Sequence, residues 1–154
     1  MAHEPGAHVH GIAKLQVAVD GDILTLGLES PLDNLLGFER MPRSEKQKAA
    51  VRDMAERLNK PGALFLPTPA AKCAAVSVKL VSPVLEPAKK GNDDGHADLD
   101  AEFVFKCAQP NALRGVAVKF FDGFRHLRQI DVQVVGPRGQ AAAKLTAAQP
   151  QISW

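Results

Sequence analysis

From residue 9 to residue 19 the chain alternates between two kinds of side chain. Val9, Gly11, Ala13, Leu15, Val17 and Val19 fall on one face, and His8, His10, Lys14 and Gln16 on the other, the period expected of a strand with one buried side. Asp20-Gly21 supplies a hairpin signal, and Ile23, Leu24, Leu26 and Leu28 make a returning strand that ends before Pro31. The period then changes. Ala50, Val51, Met54, Ala55 and Leu58 form the stripe of an amphipathic helix. Ser44 followed by Gln47 is a capping box that opens this helix, and Asn59-Lys60-Pro61-Gly62 closes it, so a helix is predicted over residues 44–59.

Alternation resumes at Ala74, Val76, Val78 and Leu80, and again at Leu99, Ala101, Phe103, Phe105 and Cys107. The stretches Val116 to Phe121, Ile130 to Val135 and Ala141 to Leu145 read as further strands, with short candidates at Ala63-Leu64-Phe65-Leu66 and Gln151 to Trp154. Pro31 to Glu39 reads as irregular chain or a short helical turn closed by Gly37. The expected fold is α+β: a mostly antiparallel sheet of about seven short strands with one substantial helix on one face. No boundary divides it, so residues 8–154 are expected to form one domain after a flexible segment at 1–7.

Composition narrows the function. With 154 residues there is room for one hydrophobic core. The net charge of +2 is spread among acids, as where Lys46, Lys48 and Arg52 stand beside Glu45, Asp53 and Glu56. No basic stripe for nucleic acid results, and seven Phe, one Trp and no Tyr offer no base-stacking platform. No apolar run approaches the ~20 residues of a membrane span. Met1-Ala2 directly precedes a polar stretch, so the chain reads as a mature segment whose export signal has been removed. Enzyme motifs are absent, and no catalytic role is expected.

Cys73 and Cys107 match neither a zinc knuckle nor a redox Cys-x-x-Cys pair. They are either one disulfide in an oxidising compartment or two inert buried thiols. A hairpin register that sets them opposite each other centres its loop on residue 90, inside a polar stretch. That register also sets Ser77 opposite Phe103 and Lys79 opposite Ala101, mixing polar and apolar side chains. Either a bulge shifts it by one residue, or Cys73 sits outside the ladder.

Histidine carries the candidate chemistry. On a strand, residues i and i+2 share a side, roughly 6.5–7 Å apart, so His8 and His10 can meet one ion. Zinc accepts His nitrogen together with carboxylate oxygen. A third ligand must come from elsewhere: His96 and Asp98 have the same spacing, and Glu39 lies in a loop that can reach in. The plain alternative is a solvated strand end. The ladder Asp98, Asp100, Glu102 reads as a solvated face and lacks the glycine of an EF-hand, and His126 reads as a surface or core-edge residue. Copper or nickel would suit the same donors. An imidazole coordinates only when neutral, so metal affinity should fall as pH drops through about 6.5.

The order of His8-Val9-His10-Gly11, Leu28-Glu29-Ser30-Pro31, Asn34-Leu35-Leu36-Gly37-Phe38-Glu39, His96-Ala97-Asp98, Phe105-Lys106-Cys107 and Val135-Gly136-Pro137-Arg138-Gly139-Gln140 resembles the ZrgA-like family. Its members are bacterial periplasmic proteins, one of them tied to zinc uptake. The resemblance implies an exported zinc-binding protein that buffers zinc or passes it to an uptake transporter or that transporter's binding protein. It also implies the Cys73–Cys107 disulfide. Two departures matter. Relatives often carry a His- and Asp-rich run before the segment matching His96, whereas here Glu86 to Gly95 holds no His; and Arg40 stands where relatives often have His. One or two defined sites are therefore expected, not a zinc sponge. The competing expectation is a protein-interaction module of the cell envelope in which the histidines are incidental.

Overall fold

The computed structural model describes residues 10–85 and 98–154. Nine strands form two sheets. The larger contains β1 (Ile12–Asp20), β2 (Ile23–Pro31), β4 (Cys73–Val81), β5 (Asp98–Cys107), β7 (Gln129–Gly136) and β8 (Gly139–Leu145), in the order β4-β5-β2-β1-β7-β8. Its one parallel pairing is β1 with β7; the other four are antiparallel. The smaller sheet contains β3 (Phe65–Pro67), β6 (Gly115–Val118) and β9 (Gln151–Ser153), in the order β3-β6-β9. Each of the nine overlaps a segment that the sequence marks as a strand or a short candidate strand, and burial alternates cleanly in strands such as β1 and β5. What that alternation cannot show is that three of them leave the main sheet, because period two marks a face and not a partner.

The faces follow the alternation. Ala13, Leu15 and Val17 of β1, Leu24, Leu26 and Leu28 of β2, Phe103 and Phe105 of β5, and Ile130, Val132 and Val134 of β7 are all buried. Against them pack helix α1 (Leu32–Leu36), helix α2 (Glu45–Leu58), the single turn α3 (Pro61–Leu64) and the small sheet. Phe65 stands at the centre, edge-on to Phe103 at 4.9 Å and tilted on Phe120 at 5.4 Å, arrangements that aromatic quadrupoles favour. The other face of the large sheet lies open to solvent.

Helix α2 is built as its sequence specifies. Ser44 Oγ accepts from the Gln47 amide at 3.0 Å, and Gln47 Oε1 accepts in return from the Ser44 amide at 3.4 Å. Val51, Met54 and Leu58 are its buried residues. The β1–β2 hairpin turns one residue later than the Asp20-Gly21 signal implied: Asp20 pairs with Ile23, and Gly21-Asp22 make the loop, with Gly21 at φ 61°.

Cys73 and Cys107 form a disulfide and face each other in the β4–β5 ladder. Ala75 pairs with Phe105 but Ser77 with Val104, so Val76 is the extra residue of a bulge and is 61% exposed. The shift sets Val78 against Phe103 and Leu80 against Ala101, which removes the mixed polar and apolar pairs of the unbulged register. Among the described residues, no helix is long and apolar enough to cross a membrane.

Candidate metal centre

The site begins where β1 begins. Strand β1 starts at Ile12, not at Val9, because Gly11 adopts φ +87°, a left-handed conformation that costs glycine little and other residues more. His10 therefore belongs to a turn and not to a strand, which corrects the i, i+2 strand geometry expected for it. The turn is pinned from two sides. The Gly11 carbonyl accepts from the Arg128 and Gln129 amides at 2.8 and 2.9 Å. The Gly11 amide donates to Asn34 Oδ1 at 2.7 Å.

Asn34 is buried and makes two more bonds, donating through Nδ2 to the Ile12 carbonyl at 3.0 Å and to Ser30 Oγ at 3.2 Å. Its neighbour Asp33, in the first turn of α1, consequently stands beside His10. Asp33 Oδ2 lies 2.6 Å from His10 Nδ1. Helix α1 then stops at Gly37, whose φ of 86° and backbone N–H, donating a hydrogen bond to the Asp33 carbonyl at 2.9 Å, make a left-handed cap. A Cβ on Gly37 would lie 3.0 Å from His126 Nε2, so this histidine packs against the cap. Two residues on, the chain delivers Glu39.

His10, Asp33 and Glu39 each offer one ligand atom, all within 4.8 Å of one another. Tetrahedral zinc with bonds near 2.0–2.1 Å holds its ligand atoms roughly 3.3 Å apart. The longer separations must close by about an ångström or more, a rotamer-scale change for side chains on a turn and a loop. Asp33 and Glu39 are half-buried and His10 is exposed, so an ion can reach them from solvent. The trio lines a cleft of about 490 Å³ together with Phe38, Arg40, Met41, Arg43 and Gln47.

Of the residues expected at the site, His10 and Glu39 come together, and Asp98 is not in the group that converges among the described residues. Asp98 opens β5 opposite Pro31 and is exposed on the outer face of the sheet. His8 and His96 lie outside the described residues, as do residues 1–7. Asp33 and Asn34 were not expected there. The signal available for them was an Asp and an Asn following Pro31 in a turn that Gly37 closes.

A second depression, of about 430 Å³, lies on the open sheet face around Gly27, with Lys14, Glu29, Lys79, Asp100 and Glu102 at its rim. Burial, reinforced by Glu29 and then Asp98, raises the pKa of the Asp100 carboxyl above its ordinary 3.8. Asp98, Asp100 and Glu102 are indeed exposed side by side along β5. Lysines mixed among these acids suit a solvated face better than a cation site.

A family model described as ZrgA family zinc uptake protein matches residues 7–154. No curated protein matches the chain.

Proposed function

The chain belongs to the ZrgA family of zinc uptake proteins, and we propose that it is a non-catalytic zinc-binding accessory protein that buffers zinc or delivers it to an uptake system. The observation that carries this reading is the convergence of His10, Asp33 and Glu39. One nitrogen and two carboxylate oxygens are a donor set that zinc accepts, and the three ligands found among the described residues leave a fourth position for a further ligand. Closed four-ligand sites hold zinc as a structural part; an open, solvent-reachable site lets it exchange. The disulfide supports residence in an oxidising compartment, which we assign to the periplasm. The partner would be a zinc-uptake transporter or its binding protein.

Calorimetric titration of zinc into chelator-stripped protein tests this. Binding at micromolar or tighter Kd is expected, with loss of at least about 100-fold in a His10→Ala/Asp33→Asn/Glu39→Gln variant, about 2.7 kcal/mol. Unchanged binding in that variant sinks the site. No zinc binding below about 100 µM, about −5.5 kcal/mol, favours the interaction module instead. Parallel titrations with copper and nickel rank the ions, since these donors suit all three.

A further inference from the structure

The trio and an ion would be electrically balanced. A neutral imidazole and two carboxylates cancel the two charges of zinc. Yet the same cleft is lined by Arg40 and Arg43, which add two positive charges to its wall. Among the described residues, Lys48, Arg57 and Lys106 are ion-paired to Glu45, Asp53 and Asp22, and neither cleft arginine stands in such a pair. Two guanidiniums next to a bare divalent cation oppose its binding. The arrangement becomes favourable when the ion brings an anion with it.

The chemistry of that anion follows from its two contacts. One end must complete the shell of an ion that accepts oxygen ligands. The other must satisfy guanidinium groups, whose planar fork matches a carboxylate through two parallel bonds. A cleft of about 490 Å³ is within the range of small-molecule sites and far larger than a fourth-ligand water requires. Phe38 and Met41 in its wall suit the carbon skeleton of such a molecule.

We infer that the site takes zinc as a mixed complex with a small di- or tricarboxylate anion, one carboxylate on the ion and another on Arg40 and Arg43. The inference rests on His10, Asp33 and Glu39 holding the ion. The transported species is then a zinc–carboxylate complex, and the arginines select it over the hydrated ion.

The test uses the full chain, stripped of metal, with malonate as probe and acetate and sulfate as controls, each at matched free zinc. Malonate is expected to tighten zinc binding about tenfold, and zinc to tighten malonate binding by the same factor, because coupling is reciprocal. An Arg40→Gln/Arg43→Gln variant should lose this coupling yet bind zinc alone at least as well as the parent. Equal zinc binding with and without malonate overturns the inference and leaves the zinc site standing. So does coupling that survives in the double variant, or equal coupling by sulfate. Absence of zinc binding under every condition overturns both.

Discussion

Asn34 and Gly11, 23 residues apart in sequence, are joined by a 2.7 Å bond from the Gly11 amide to Asn34 Oδ1. That bond fixes where the turn before β1 meets α1, and with it the approach of His10 to Asp33. Asn34→Ala removes three hydrogen bonds and strands the Gly11 amide and the Ile12 carbonyl. Buried unsatisfied groups cost about 1–3 kcal/mol each, so a loss of about 2–3 kcal/mol is expected. In a domain of this size that lowers Tm by roughly 5–10 °C. Zinc affinity should fall at least about tenfold, as when other groups that orient ligands are removed, although His10, Asp33 and Glu39 are untouched. Thermal melting and calorimetry on the same variant check both. Full zinc affinity would mean that Asn34 does not position the site.

Cys73 and Cys107 are separated by 34 positions. Closing a loop of that length in the unfolded chain stabilises the fold by about 3–4 kcal/mol in the chain-entropy account. Reductant, or a Cys73→Ala/Cys107→Ala variant, should therefore lower Tm by roughly 6–15 °C. Because the pair lies at the opposite end of β5 from Asp98, whose ladder partner Pro31 leads into α1 and Asp33, zinc affinity at 25 °C should change little. A large loss of zinc binding on reduction, with the protein still folded, would contradict this separation.

Much of the fold was legible because its signals are local. The Ser44–Gln47 capping box and the Val51, Met54, Leu58 stripe sit within one helix. The bulge was legible only as one of two alternatives: a ladder joining Cys73 to Cys107 without one sets Ser77 against Phe103, which called either for a bulge or for Cys73 outside the ladder, and the structure has the bulge. The site was legible only in part. His10 and Glu39 were found as residue types, but their meeting depends on Asn34 spanning 23 positions, and no local pattern records such a contact. Helix α1, with five residues, is too short to show a helical period. Its Asp33 therefore looked like part of an irregular connection. Gly11 misled in the other direction, since its place in the alternation hid the positive φ that ends the strand.

Gly37 offers a sharper probe of how Glu39 is delivered. Its φ of 86° disfavours any side chain, and an added Cβ would also meet His126 Nε2 at 3.0 Å. Gly37→Ala should cost about 1–2 kcal/mol, from a left-handed backbone and a displaced imidazole. The loop carrying Phe38 and Glu39 should shift, weakening zinc binding several-fold. Adding His126→Ala should recover the steric part and leave the backbone part. The double-mutant cycle measures this directly: strict additivity of the two substitutions would rule out the contact as the means by which Gly37 holds the loop.

The open face of the sheet makes a separate prediction, with the opposite pH behaviour from most carboxylates. Burial, then Glu29, then Asp98 raise the Asp100 pKa above 3.8; Glu29 is its partner across the β2–β5 ladder. Folding thus favours the protonated form. Its contribution to stability is complete below 3.8 and is lost as pH rises through the raised folded value. At neutral pH the charged side chain is a liability. Asp100→Asn should therefore raise Tm at pH 7, by at most roughly 2–3 °C for so exposed a group, and change it little at pH 3. The contribution of Glu29 and Asp98 is screened by salt, so the gain should shrink in 1 M NaCl, while the part due to burial persists. A lower Tm for Asp100→Asn at pH 7 would show instead that the carboxylate is held by a favourable partner on this face, such as Lys14 or Lys79 at the rim of the same depression.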